Sequence, residues 1–184
     1  VLFNLPAGNW AAGERGIACH PERVSEFQEG VGKAIDAAKK LGCKQVNCLS
    51  GPVLPGVSED KLRATFVSNL KFAAEKLKAE GIRLVTEPVN TIDMKNAYLN
   101  HTQQAVDIIR ETGSDNLFIQ YDIYHMQRME GELANTIKAN LPLIKHMQLA
   151  DLPNRNEPGT GEINYHFLFK FIDDIGYDGW IGCE

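Results

Sequence analysis

The stretch Glu80-Gly81-Ile82-Arg83-Leu84-Val85-Thr86-Glu87 decides the fold class of this chain. Its glycine follows an amphipathic segment, and glycine readily adopts the left-handed conformation that ends a helix. A short apolar run comes next, and that run closes on an acidic side chain. The stretch therefore predicts the end of a helix, a short buried strand, and a polar residue where the strand ends.

The same succession of helix end, glycine and apolar run recurs along the chain, at Gly42, Gly113 and Gly176. Between these points, apolar residues spaced three and four apart predict amphipathic helices, most clearly at 24–41 and 62–77. Weaker helices are predicted at 131–140 and 165–174, and a further one begins near 102. The predicted strands are 1–5, 45–49, 82–87, 117–122, 144–149 and 180–184.

Strands that alternate with helices indicate parallel βαβ units and an α/β fold. Such strands fit either an open doubly wound sheet or part of a (β/α)8 TIM barrel, which needs eight strands. No linker rich in charge, proline or glycine divides the chain, so we interpret 1–184 as a single domain. The chain begins at Val1 inside an apolar run and ends at Glu184 directly after a strand, which predicts an incomplete barrel.

Composition narrows the classes of function. The 184 residues are 43% hydrophobic and 23% charged, which is typical of a globular domain. The net charge is -5 and there is no basic tract, so we expect no nucleic-acid partner. No apolar run approaches the roughly 18 to 20 residues of a membrane span, so we expect no membrane partner. The four cysteines form no C-x-x-C pair, which favours reduced thiols and a cytoplasmic location.

A polar residue stands at the end of four successive predicted strands: Glu87, Asp122, Gln148 and Glu184. The C-terminal ends of parallel strands open on one face, and active sites lie there. Three carboxylates and an amide oxygen are hard ligands that suit Mg²⁺ or Mn²⁺. Carboxylates this close would also repel one another and raise at least one pKa, which suits proton transfer near neutral pH. The alternative is that each acid only caps the helix that follows it.

Two further residues are candidates for substrate binding. His125 lies three residues after Asp122, where it could bind a substrate oxygen, bind the metal, or be a hydrogen-bonded loop residue. Arg155 follows the Gln148 strand, where it could clamp a carboxylate or face solvent. A long loop after the first strand, 6–16, would lie over the site, and its sizeable binding groups are Trp10 and Arg15.

Six motifs carry a resemblance to a known family. They are NLPAG at 4–8, WAAGERG at 10–16, EPVN at 87–90, YDIYHMQ at 121–127, EPGTGEINY at 157–165 and GCE at 182–184. Together they resemble the hydroxypyruvate isomerases, in the xylose-isomerase-like group of TIM barrels, and the match runs from end to end. Against the family pattern, the chain would cover about strands 3 to 8 of the eight-stranded barrel.

The resemblance implies reversible conversion of hydroxypyruvate to tartronate semialdehyde through an enediolate, in glyoxylate and carbohydrate metabolism. It implies a divalent metal held by Glu87, Asp122, Gln148 and Glu184, with the two glutamates as acid and base. His125 and Arg155 would orient the small oxo-acid substrate, and a homo-oligomer is compatible with the sequence. Epimerases of the same group place a histidine where Gln148 stands, so strict metal dependence does not follow.

Other functions stay open at this point. The same barrel group includes ketose 3-epimerases and 2-oxo-tetronate isomerases, whose sites would look similar. A zinc endonuclease on this barrel would need several histidine ligands and a basic surface, which this sequence lacks. A non-catalytic binding domain would keep the fold without using the two glutamates.

Overall fold

Strands and helices alternate along the chain in a computed structural model, which describes residues 2–184. The strands are β1 (Phe3–Asn4), β2 (Gln45–Cys48), β3 (Arg83–Thr86), β4 (Leu117–Asp122), β5 (Ile144–Leu149) and β6 (Trp180–Cys183). The helices are α1 (Val24–Leu41), α2 (Glu59–Ala79), α3 (Thr102–Thr112), α4 (Ile123–Met129), α5 (Leu133–Asn140) and α6 (Tyr165–Asp174). Short 3₁₀ turns lie at Trp10–Ala12 and Pro21–Arg23. Over residues 2–184 the strand predictions are confirmed within one or two residues at each end, and Val1, the first residue of the predicted strand 1–5, lies outside the described residues.

All six strands pair in parallel, in the order in which the chain makes them. An open doubly wound sheet reverses its strand order at a switch point, whereas a barrel adds each strand to the same edge. The uniform order therefore excludes the doubly wound alternative. Within residues 2–184, the sheet is a TIM-barrel-like partial barrel of six parallel strands.

Helix α2 shows how the sequence builds the outer layer. The Ser58 hydroxyl accepts a hydrogen bond from the Lys61 backbone N–H at 3.4 Å and caps the first turn. Leu62, Phe66 and Leu70 are fully buried on one face of the helix. Burial of each such side chain contributes about 1.5–3 kcal/mol, so this face fixes the helix against the sheet.

The interior side of the strands is unusually polar. Asn47 of β2, Gln120 of β4 and His146 of β5 are all buried, with at most 4% of their surface exposed. Val46, which lies between the polar Gln45 and Asn47, belongs instead to the hydrophobic core under the helices, as does its partner Leu84 on β3. Buried amide and imidazole groups need hydrogen-bond partners, and a polar ligand inside the barrel can supply them.

Helix α4 was not predicted. It starts at Ile123, immediately after β4, with no intervening loop. Asp122 itself is its N-cap, and its Oδ1 accepts from the N–H groups of Tyr124 at 2.8 Å and His125 at 3.3 Å. His125 is therefore a helical residue and not a loop residue.

Among residues 2–184, every helix is too short or too polar to span a lipid bilayer.

Candidate active site

The sheet brings the four strand-end residues to one face. Glu87 follows β3 directly, Asp122 ends β4, Gln148 lies in β5, and Glu184 follows β6. Asp122 pairs in register with Gln148, and the Glu184 N–H donates to the Leu149 carbonyl at 3.0 Å. A cavity of about 290 Å³ opens at this face, and its lining includes Glu87, Gln120, His125, Gln148, Arg155 and Glu184.

Glu87 is the buried carboxylate of this cavity, with 5% of its surface exposed. Its Oε2 accepts a hydrogen bond from Nδ2 of Asn47 at 2.8 Å, and the same amide donates to Asn4 at 3.0 Å. Burial, followed by the charges of Asp122 and Glu184, raises the pKa of Glu87 well above its usual range despite the Asn47 hydrogen bond. Such a carboxylate is a strong enough base to exchange protons near neutral pH.

Asp122 is buried beside it and is held by the start of α4. Burial and the nearby charge of Glu184 raise the pKa of Asp122 to about 6, although the N–H groups of α4 and the Arg155 guanidinium oppose the rise. The carboxyl group thus has two functions in the structure. It caps the helix, as one sequence-based interpretation expected, and it also contributes charge to the cavity.

His125 is buried in α4, with 3% of its surface exposed. The Asn90 backbone N–H donates to its Nδ1 at 3.1 Å, so Nδ1 is an acceptor. Burial, followed by the positive charge of Arg155, lowers the pKa of His125 to about 3. A neutral ring that accepts at Nδ1 carries its proton on Nε2, which lies 3.7 Å from Oδ2 of Asp122. His125 therefore presents an N–H donor to the site.

Arg155 contacts the acidic residues of the site, although 33% of its side chain stays exposed to solvent. Its Nη2 lies 3.2 Å from Oε1 of Glu184 and 4.0 Å from Oδ2 of Asp122, and its guanidinium stacks 5.0 Å over the Tyr124 ring. Asp151 fixes the loop that carries it, because the Asp151 carboxylate accepts four backbone N–H groups. These come from Leu152, Gly159, Gly161 and Ile163, at 2.8–3.0 Å.

Gln120 is a site residue that sequence reasoning missed. Its Nε2 donates to Oε1 of Gln148, and its own Oε1 is buried without a hydrogen-bond partner among residues 2–184. The sequence did contain a signal for this role: Gln120 precedes Asp122 by two positions on β4, so the two side chains share one face of the sheet. Asn47 and Asn90 were missed for a different reason: they contact Glu87 and His125, which are 40 and 35 positions away in sequence.

The donor set fits a divalent cation. Glu87, Asp122 and His125 each offer one ligand atom, and these atoms lie within 4.8 Å of one another. Glu87, Asp122 and Glu184 bring three carboxylates, while Arg155 is the cation paired with them and His125 is neutral. A cation would relieve the repulsion that raises the carboxylate pKa values. Since His125 presents an N–H, the oxygen donors suit the metal better than this ring does.

The fold and site define a xylose isomerase-like TIM barrel: that family matches residues 1–184, and the chain belongs to it. It is 55% identical to hydroxypyruvate isomerase of Escherichia coli strain K12 over 184 residues, which cover all of this chain and 71% of that protein. It is 42% identical to 2-oxo-tetronate isomerase of Cupriavidus necator, again over all of this chain and 71% of the relative. These relationships confirm the family resemblance carried by the motifs.

A solved structure shares the architecture closely. The crystal structure described as an AP endonuclease of family 2 from Brucella melitensis superposes with a TM-score of 0.96 at 39% identity. The superposition covers all of this chain and 71% of that one. The six-stranded arrangement described above is therefore also found in a crystal structure.

Proposed function

We propose that this protein is an isomerase that interconverts hydroxypyruvate and tartronate semialdehyde. The observation that carries the proposal is the convergence of Glu87 and Glu184 on one small cavity, with Glu87 buried and of raised pKa. The 55% identity to hydroxypyruvate isomerase of Escherichia coli supports the choice of substrate. We also propose that the six strands are consecutive strands of an eight-stranded barrel that forms one domain.

The reaction moves two protons and no other atoms. The C3 proton of hydroxypyruvate leaves to a carboxylate, the C2 carbonyl becomes an enediolate oxygen, and a proton then returns to C2. The C3 hydroxyl gives up its proton as it becomes the aldehyde, and the C2 oxygen gains one. Glu87 is the stronger candidate for the first base, because its buried carboxylate of raised pKa, once ionised, holds a proton more tightly than an exposed carboxylate. Glu184, which starts ionised beside Arg155, takes up the proton of the C3 hydroxyl and delivers it to C2, while Glu87 gives its proton to the C2 oxygen, so both glutamates end as they began.

Donors in the cavity stabilise the charge that develops on the substrate oxygens. The Nε2–H of His125 is oriented by the Asn90 N–H on the far side of the ring, so it is ready to donate to an oxyanion. Arg155 lies between two carboxylates and binds the substrate while it keeps Glu184 in place. Both residues would then orient the substrate, in line with the sequence-based hypothesis.

A divalent metal, Mg²⁺ or Mn²⁺, would be held by the oxygens of Glu87, Asp122, Gln148 and Glu184. Bound there, it would polarise the substrate carbonyl and offset the negative charge of the enediolate. The unpartnered oxygen of Gln120 supports this placement, because a buried oxygen without a donor is suited to a cation or to a water on one.

The second candidate is a 2-oxo-tetronate isomerase, favoured by the 42% identity to that enzyme of Cupriavidus necator. The proton transfer would be the same, and the substrate would be one carbon longer. An endonuclease function is disfavoured by the charge of the chain, which is -5, and by a site that contains one histidine, His125, among acidic residues. Phosphate backbones bind to positively charged surfaces.

The experiment is a product assay on purified protein. Hydroxypyruvate, 2-oxo-tetronate, a ketohexose and DNA with an abasic site are offered separately in the presence of Mg²⁺ or Mn²⁺. We expect tartronate semialdehyde from hydroxypyruvate at the highest kcat/KM. Epimerisation of the ketohexose or cleavage of the DNA, without turnover of hydroxypyruvate, would overturn the proposal. Preference for 2-oxo-tetronate would select the second candidate.

A further inference from the structure

Arg15 lies in the loop that follows β1, and it lines the same cavity as Leu49, Val89 and Arg155. Its guanidinium lies 3.7 Å over the centre of the Trp10 ring. Nη1 donates to the carbonyls of Trp10 at 3.1 Å and Glu14 at 2.8 Å. These contacts fix the plane of the guanidinium while they use only one of its three nitrogens.

The other two nitrogens of the Arg15 guanidinium have no hydrogen-bond acceptor among residues 2–184. Among residues 2–184, no carboxylate lies within 4.0 Å of this guanidinium, and Nε and Nη2 make no hydrogen bond to the protein. Arg155 differs, because it already contacts Glu184 and Asp122. In this cavity the charge of Arg155 is therefore paired with carboxylates, whereas the charge of Arg15 is not paired with one among residues 2–184.

The loop holds Arg15 rigidly against the barrel. Gly16 has φ 118°, and a Cβ there would lie 2.4 Å from the Gly51 nitrogen, so the backbones are in close contact. The Gly16 N–H donates to the Ala7 carbonyl at 2.9 Å, and Glu14 forms an ion pair with Arg23 at 2.6 Å. A charged group held in this way binds an anion without first losing conformational freedom.

We propose that Arg15 binds the carboxylate of the substrate and so selects 2-oxo acids over neutral ketoses. This inference rests on the proposed function. Hydroxypyruvate and 2-oxo-tetronate both carry a carboxylate next to the reacting carbonyl, and that group is repelled by the carboxylates of Glu87 and Glu184 in the cavity lining. Arg15 lines the same cavity and offers its two unused nitrogens in the fork that matches a carboxylate.

The test compares Arg15→Met and Arg15→Lys with Lys95→Met. Lys95 is exposed near the same loop region but does not line the active-site cavity, so its replacement removes a positive charge nearby without touching the site. Two readouts are measured: kcat/KM on hydroxypyruvate, and calorimetric binding of glycerate and of glycerol, which differ only in the carboxylate. Thermal melting reports whether each variant is folded.

We expect Arg15→Met to weaken glycerate binding by about 10- to 100-fold, from the loss of charged hydrogen bonds. Glycerol binding should stay the same, and Arg15→Lys should fall in between because lysine lacks the fork. On hydroxypyruvate, KM should rise more than kcat falls, while Lys95→Met stays within twofold of the wild type.

Two outcomes separate this inference from the proposed function. If Arg15→Met binds glycerate and turns over hydroxypyruvate within twofold of the wild type, Arg15 is not the carboxylate receptor, although the isomerase function stands. If the wild type fails to isomerise hydroxypyruvate but binds glycerate in an Arg15-dependent way, the receptor stands and the proposed reaction fails. Equal losses for glycerate and glycerol would show a distorted loop and would overturn the inference.

Discussion

Replacement of Asp151 by Asn tests how the loop that carries Arg155 is held. In the native protein Oδ1 accepts from the N–H groups of Leu152 and Ile163, and Oδ2 accepts from those of Gly159 and Gly161. The amide of asparagine keeps the first pair of hydrogen bonds. Its NH₂ group would face the two glycine N–H groups, donor against donor, and both of those hydrogen bonds would be lost.

The expected loss of folding stability follows from the two hydrogen bonds that Gly159 and Gly161 donate. A hydrogen bond to a charged group contributes about 1.5–3 kcal/mol, and the exposed glycines can partly recover by binding water. We therefore expect Asp151→Asn to lower the free energy of unfolding by about 2–4 kcal/mol. The same loop carries Arg155, so its guanidinium should move out of position. We therefore expect kcat/KM on hydroxypyruvate to fall by roughly tenfold or more, because small displacements of a positioned group slow a reaction by such factors.

The pH dependence of folding stability gives an independent check that the ionised Asp151 carboxylate stabilises the folded protein. Burial alone would raise the pKa of Asp151, but the backbone N–H groups of Ile163, Gly159, Gly161 and Leu152 outweigh it and lower the pKa. A lowered pKa means that the contribution to stability is complete above the unfolded-state pKa of about 3.9 and is lost as the pH falls through the folded-state value. The asparagine variant should lack this part of the acid transition.

The assay is urea denaturation at neutral pH, with Asp173→Asn as the matched control. Asp173 is exposed on α6 and its side chain makes no hydrogen bond or ion pair among residues 2–184, so its replacement should change stability by less than about 0.5 kcal/mol. A stability of Asp151→Asn within that same margin would refute the reasoning that the carboxylate organises the loop.

Three further predictions concern the site. Chelation should abolish most of the isomerase activity, and Mg²⁺ or Mn²⁺ should restore it, because the acidic cavity fits a cation; full activity after verified metal removal would contradict this. His125, with a pKa of about 3, should remain neutral and protonated on Nε2 down to pH 5 in nitrogen NMR spectra, and a titration near pH 6.5 would count against the Asn90 contact. Arg155→Lys should lower kcat/KM about tenfold, since lysine cannot reach Glu184 and Asp122 together, and unchanged kinetics would place Arg155 outside the reaction.

Much of the fold could be predicted because its signals are local. Gly42 and Gly113 end helices in the left-handed conformation, at φ 65° and 64°, as their positions before apolar runs indicated. Periodic apolar residues fixed the buried face of α2 in the same way. The strand-end position of Glu87 and Asp122 then followed from a general property of parallel sheets, so their convergence needed no knowledge of distances.

The rest depended on contacts that no local pattern records. Helix α4 escaped prediction because it has seven residues and takes its cap from the last residue of β4. The state of His125 depends on Asn90, which is 35 positions away in sequence and 3.1 Å away in space. The partners of Arg155 likewise become visible only when the Asp151 loop is folded over the strand ends.

The role of Glu87 as a base can be measured directly by hydrogen exchange. Hydroxypyruvate is incubated with the protein in D₂O, and NMR follows loss of the C3 proton and formation of the isomer. Exposed Glu75, replaced by Gln, serves as the control. We predict exchange and isomerisation by the wild type and by Glu75→Gln, with both rates reduced by about 10²- to 10⁴-fold in Glu87→Gln. Exchange by Glu87→Gln within twofold of the wild type would contradict the assignment.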